Sequence, residues 1–247
     1  MSIVEIKDLT KIYGSGETAV TALDHVSFSV QTGEFVAIMG PSGCGKSTLL
    51  HLVGGLDHAS EGSVSIGGHT LAALSDDRLT ELRRKKIGFV FQFFNLIPVL
   101  NAVENTALPV TLDGMRPAEA KKRATDWLDK IGMSDRLSHR PDQLSGGQQQ
   151  RVAVARALVS EPEIILADEP TGNLDTRSGD DIARLLRKAC KEWNRTVIMV
   201  THDPRIAAYA DRIIFLKDGR ITEQTTLENN NGGNTAEGIA EMMKGMG

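Results

Sequence analysis

The chain has 247 residues, 40% of them hydrophobic and 24% charged, which is enough apolar material for one large domain or for a core with a smaller inserted lobe. A net charge of −4 and an isoelectric point near 5.9 leave no basic field to concentrate nucleic acid, and no nucleic-acid partner is expected. Cys44 and Cys190 are too few for a disulfide framework or thiolate metal site, Met1 to Glu5 lacks the pattern of a secretion signal, and no run reaches the roughly 18 apolar residues of a membrane span, so a cytoplasmic location is expected.

The first 70 residues read as β-rich. Ile3 to Ile6, Val26 to Val30, Phe35 to Met39 and Ser63 to Ile66 are short apolar-patterned runs divided by turn residues. Phe35 to Met39 is nearly all apolar, as a strand covered on both faces would be, and a helix over Lys46 to Val53 follows at once. Ile87 to Phe91 is a further strand, ended by Gln92. From there to Leu144 helix and loop take over. The clearest helix starts at Pro117, carries Ala124, Trp127, Leu128 and Ile131 at i, i+3, i+4, i+7, and is closed by Gly132.

Strand and helix alternate after that: a helix following Ser145, a strand over Ile164 to Ala167, a helix bearing Ile182, Leu185, Leu186 and Ala189, and strands over Thr196 to Val200 and Ile213 to Leu216. Such alternation predicts an α/β fold with a parallel sheet and helices on its faces. The polar run from Asn229 to Asn234 breaks the pattern. The expected organisation is one domain over residues 1–228, with 1–92 and 145–228 forming the core and 93–144 an inserted helical lobe; residues 229–247 are expected to be a flexible tail, with one or two amphipathic turns through Ile239, Met242 and Met243 as the alternative.

Gly40-Pro41-Ser42-Gly43-Cys44-Gly45-Lys46-Ser47-Thr48 fits the pattern G-x-x-x-x-G-K-[ST], placed between an apolar strand and a helix. Backbone N–H groups from Ser42 to Thr48 can wrap phosphates, Lys46 can set an ammonium on the β and γ groups of a triphosphate, and the Ser47 hydroxyl can ligate Mg²⁺. Asp168 and Glu169 end a buried strand, where open parallel sheets bind ligands: Asp168 would face the Mg²⁺ and Glu169 could polarise an attacking water. Gln92 and His202 also end strands and can reach the γ-phosphate, although solvated loop positions would explain either one alone. Tyr13 can stack on an adenine or serve in ordinary packing. Leu144-Ser145-Gly146-Gly147-Gln148 opens a second helix on a glycine-rich turn. It reads equally as a well-capped helix start or as a second anion site, and with one lysine and one acid pair on the chain, a second site would serve a nucleotide held by another copy.

Together these residues resemble the nucleotide-binding subunit of ATP-binding cassette transporters over about Ser2 to Gln224. The resemblance implies a P-loop NTPase core with a mostly parallel sheet, an N-terminal antiparallel β subdomain and an inserted helical subdomain. Gly40 to Thr48 look like its Walker A loop, Gln92 its Q-loop, Leu144 to Gln148 its signature, Ile164 to Glu169 its Walker B, Asn173-Leu174-Asp175 its D-loop, His202 its switch histidine and Tyr13 its adenine-stacking aromatic. It further implies ATP and Mg²⁺ as ligands, with Ser47, Gln92 and Asp168 around the metal, Lys46, Gln92, Glu169 and His202 in catalysis, and Ser145 to Gln148 and Asp175 completing the nucleotide site of a second copy in a head-to-tail dimer.

Val90 to Pro98 with Ala102 to Asn105, and Asp168 to Asp175, are similar to the lipoprotein-release and macrolide-export branch. That implies a separate transmembrane permease as partner and a place on the cytoplasmic face of the membrane; the apolar run Phe93, Phe94, Leu96 and Ile97 reads as the exposed contact or, alternatively, as core packing. A non-transport ATPase signalling through a membrane partner, as in the resembling cell-division branch, and a phosphotransferase acting on a small molecule remain rival readings.

Overall fold

A computed structural model describes residues 1–227 and 233–245. In chain order the elements are β1 (Ser2–Tyr13), β2 (Val20–Gln31), β3 (Phe35–Met39), α1 (Lys46–Val53), β4 (Glu61–Ile66), β5 (His69–Thr70), α2 (Asp76–Lys86), β6 (Ile87–Phe91), α3 (Ala102–Leu112), α4 (Pro117–Lys130), α5 (Gly146–Leu158), β7 (Ile164–Asp168), α6 (Thr176–Lys191), β8 (Thr196–Val200), α7 (Pro204–Ala207), β9 (Arg212–Lys217), β10 (Arg220–Thr226) and α8 (Gly233–Gly245).

The largely apolar strands β3, β6, β7 and β8 lie side by side in a six-stranded sheet of order β10-β9-β3-β8-β7-β6, parallel except for the antiparallel edge strand β10. Alternate residues feed two cores, as the two-residue period of a strand requires. Phe35, Ala37, Met39, Ile165, Ala167, Val197 and Met199 point to the face covered by the helices from α3 to α6. Val36, Ile38, Leu166, Ile198 and Val200 point the other way, to α1 and to a second, antiparallel sheet of order β2-β1-β4-β5 through Val4, Ile6, Leu23 and Val26. The result is the α/β class with an N-terminal antiparallel sheet.

Trp127 of α4 is 3% exposed and meets Trp193, just beyond α6, edge to face at a centroid distance of 4.9 Å. Apolar residues of α3 and α4 join the cluster of that sheet face by packing on each other and on α5. The tail departs from the flexible segment expected over 229–247. Residues 233–245 are helical, and Ile239 is buried with Ala236 and Met243 packed against the core, because the i, i+4 spacing of Ile239 and Met243 makes one apolar stripe. Residues 228–232 and 246–247 of that expectation lie outside the described residues.

Candidate active site

Parallel pairing puts the C-terminal ends of β3, β8, β7 and β6 on one edge of the sheet in that order. The pairs Ile38↔Val200, Asp168↔Val200 and Phe91↔Asp168 bring the four ends level. Immediately beyond these ends come Gly40, Thr201 with His202, Glu169, and Gln92, so one crevice collects residues from position 40 to position 202 of the sequence.

The Gly40 to Gly45 turn is shaped by close backbone approach. A Cβ on Gly40 would lie 2.0 Å from the Leu216 carbonyl oxygen, and one on Gly45, whose φ is +101°, would lie 2.2 Å from that of Ala22. Gly45 then starts α1 with no side-chain cap, so the first N–H groups of the helix, at Lys46, Ser47 and Thr48, have no intrahelical acceptor and point with the positive end of the dipole into the turn. Lys46 is buried, its Nζ donating to the carbonyls of Gly40 at 2.8 Å and Pro41 at 2.7 Å, inside the loop an anion would enter. Cys44 is buried beneath the same turn, its Sγ 3.9 Å from Lys46 Nζ, and burial pushes its thiol up from the ordinary range.

At the crevice floor Ser47 Oγ donates to Asp168 Oδ1 at 3.0 Å. These are two hard oxygen ligands, and no cluster of three or more His, Cys, Asp or Glu exists among the described residues to cage a metal. Such a pair suits Mg²⁺, which takes one or two protein oxygens and fills its octahedron with phosphate and water. Glu169 adopts φ +46°, a conformation L residues rarely hold, and is kept there by its N–H on the Val200 carbonyl at 3.0 Å. Its Oε2 lies 3.0 Å from His202 Nδ1. Gln92 Nε2 donates to Asn173 Oδ1, and Asn173 Nδ2 returns a bond to the Gln92 carbonyl, both at 3.2 Å. Gln92 is not drawn to Ser47 or Asp168 by any hydrogen bond.

Tyr13 stands where β1 ends, its hydroxyl donating to Asp57 Oδ2 at 2.8 Å and Lys11 Nζ sitting 4.7 Å from its ring centroid. Hydrogen bonds from Lys11 first, and from Tyr13 and the His58 N–H, hold the Asp57 carboxyl at about 2 against the opposing effect of burial. Partial burial and the Asp57 bond raise the Tyr13 phenol. Tyr13 is 42% exposed.

The second glycine-rich helix start is built otherwise. Ser145 Oγ accepts from the Gln148 N–H at 3.3 Å and Gln148 Oε1 accepts from the Ser145 N–H at 2.9 Å, a reciprocal box that caps α5 from within the chain. Its neighbours are Phe94, Leu174 and Ser178, and no hydrogen bond joins residues 145–148 to residues 40–48 among the described residues. Asp175 likewise caps α6, and the Ser178 N–H and hydroxyl hold its carboxyl below the usual range. The structure therefore gathers Lys46, Ser47, Gln92, Asp168, Glu169 and His202 in one crevice, and sets Ser145 to Gln148 with Asp175 in another place.

Two residues of the surroundings escaped the sequence reading. Gln150 of α5 is completely buried, donates to the carbonyls of Phe91 and Pro170, and leaves its Oε1 without a partner, which costs about 1–3 kcal/mol. Arg156 reaches the carbonyls of Phe94 and Asn95, and burial lowers its guanidinium. The signal for Gln150 was present: it stands at i to Ala153, Val154 and Ala157, a polar residue on the buried stripe of its helix.

The family model described as ABC transporter matches residues 23–172. An ABC transporter ATP-binding protein of Thermotoga maritima is 51% identical over 219 residues, covering 89% of this chain and 93% of the relative. The macrolide export ATP-binding/permease protein MacB of Aggregatibacter actinomycetemcomitans is 50% identical over 225 residues, but this chain spans only 35% of its length. Among solved structures, the dimeric post-hydrolysis state of the ATP-binding cassette MJ0796 bound to ADP and Pi superposes with a TM-score of 0.84 at 48% identity, covering 92% of this chain and 99% of that one. MJ0796 comes from Methanocaldococcus jannaschii.

Proposed function

This chain belongs to the ABC transporter family and is an ATPase cassette; from that premise we propose that two copies close around two ATP molecules, each held by residues 40–48 of one copy and residues 145–148 of the other, and that the cycle drives a separate membrane permease. One observation carries this reading. The crevice supplies a phosphate cradle, a lysine and a carboxylate pair on one side, while the second glycine-rich helix start, capped by its own Ser145 and Gln148, sits apart from it in the same chain. That the MJ0796 cassette is dimeric with ADP and Pi bound supports a two-copy assembly.

In this reading Lys46 exchanges its two carbonyl partners for phosphate oxygens, and the open N–H groups of α1 complete the cradle. Ser47 and Asp168 hold Mg²⁺, which when bound neutralises charge on the phosphates. Glu169 orients the attacking water, His202 fixes the Glu169 carboxylate and reads the γ-phosphate, and Gln92 swings from Asn173 when the site fills. Tyr13 stacks on the adenine, and Asp175 lines the seam between the copies. Taking an equilibrium from mostly open to mostly closed needs roughly 5.5 kcal/mol, or about 2.7 from each of two sites. A few charge-assisted hydrogen bonds to the γ-phosphate supply that.

The permease would seat on the groove beside β6. A cavity of about 450 Å³ there is walled by Leu56, Phe89, Phe91 and Pro109 and rimmed by Arg83 and Arg84. Phe93, Ile97 and Val99 are exposed next to it, whereas Phe94 and Leu96 are half-buried. No helix among the described residues is long and apolar enough to cross a membrane. Association with the cytoplasmic face would come through the permease, and the likeness to macrolide-export proteins supports an exporter or lipoprotein-release system. The test is Glu169→Gln with ATP in light scattering: a dimer is expected, and a protein that stays monomeric at saturating ATP contradicts the sandwich. Reconstitution with the permease in vesicles separates vectorial movement from signalling.

A further inference from the structure

The buried amide of Gln150 touches both halves of the catalytic edge at once. Its Nε2 donates to Phe91 O at 3.1 Å and to Pro170 O at 2.6 Å. Phe91 immediately precedes Gln92, and Pro170 immediately follows Glu169. Chemistry fixes the orientation, because turning the amide over would set Oε1 against two carbonyl oxygens. Space-filling alone would be better served by Met or Leu, which bring no polar atom to desolvate, and here Oε1 is buried without a partner.

The helix that carries this amide is the one that Ser145 to Gln148 start. Gln150 lies four residues beyond Gly146, about 6 Å along a rigid axis. A second grip reinforces the first: Arg156, further along α5, holds the carbonyls of Phe94 and Asn95, both in the left-handed conformation, so α5 brackets Gln92 on either side. Displacement of α5 must therefore move the backbone at Gln92 and at Glu169 together.

We propose that Gln150 is a positioning residue that relays docking of residues 145–148 on a second copy's nucleotide to Glu169 and Gln92, so that hydrolysis waits for the partner. The inference rests on the two-copy reading above. In the full chain, Gln150→Met keeps the shape and removes both the donors and the orphan acceptor. The turnover number is expected to fall about tenfold or more. The KM for ATP should stay within about twofold, and melting of the nucleotide-free protein should be unchanged or modestly lowered, because the Phe91 and Pro170 carbonyls lose a donor while the orphan Oε1 is removed. In the Glu169→Gln background, Gln150→Met should still dimerise with ATP.

Wild-type turnover by folded Gln150→Met overturns the relay, and so does loss of the dimer in the double variant while Glu169→Gln alone dimerises. If Glu169→Gln alone stays monomeric, it is the two-copy reading that falls, and the relay with it. Gln150→Glu gives an independent arm should Gln150→Met fail to fold. Its carboxyl donates one hydrogen bond only when protonated, so its turnover relative to wild type should rise as pH falls, and a flat ratio refutes the relay.

Discussion

The two glycine-rich helix starts differ in what they already hold. At α1 the cap is a glycine at φ +101° with no side-chain acceptor, and the loop's polar groups converge on an interior where only Lys46 stands. At α5 the cap is a closed box in which Ser145 and Gln148 satisfy each other. The first is organised in advance for an anion, since the leading N–H groups of α1 have no side-chain cap to give up. The second is stable without a ligand and can exchange its internal partners for one when a ligand arrives. That is the behaviour expected of a fixed binding site and of a conditional one.

Substitutions can break or sharpen this contrast. The largest effect is expected at the fixed site's chemistry: Glu169→Gln should lower ATP turnover by about 10²–10⁴-fold with ATP affinity retained, as measured by phosphate release and titration. Lys46→Ala should come next, weakening ATP binding by about 2–3 kcal/mol, and an unchanged affinity by calorimetry would refute its place in the cradle. Ser145→Ala removes a cap, and denaturant unfolding of the nucleotide-free protein should show a loss of about 1 kcal/mol. It should also weaken ATP-driven dimerisation while leaving monomer affinity for ATP intact.

The smallest effect is electrostatic. Asp57, beside Tyr13, titrates at about 2 in the folded chain against an ordinary value of 3.8, so its contribution to stability is complete above pH 3.8 and disappears as pH falls through about 2. Asp57→Asn should therefore narrow the stability gap to wild type progressively over that window in urea unfolding, and a gap independent of pH would contradict the Lys11–Asp57–Tyr13 arrangement.

Sequence revealed the strands of the catalytic edge because β3, β6, β7 and β8 are short apolar runs ended by polar residues, and their motifs sit where a parallel sheet presents ligands. It concealed elements whose stability comes from elsewhere. Helix α2 is almost wholly charged and buries only Leu79, so it has no apolar period to read. Helix α3 contains Pro109, which reads as a breaker. Strand β10 is a polar edge strand, and β1 and β2 are bent where Asp8 and His25 take positive φ, which breaks their alternation into shorter pieces. Gln150 was legible as a polar residue on an apolar stripe but its role was not, because that role comes from the two carbonyls it meets, which lie 59 and 20 positions away.

The shared pocket is tested most directly by the structure of Glu169→Gln loaded with ATP and Mg²⁺. The account predicts two copies, head to tail, with Ser145 Oγ and the N–H groups of Gly146 and Gly147 within about 3.5 Å of γ-phosphate oxygens that the other copy's Lys46 also holds. A triphosphate enclosed entirely by residues of its own chain, with the Ser145–Gln148 box still closed and remote from any nucleotide, would contradict it.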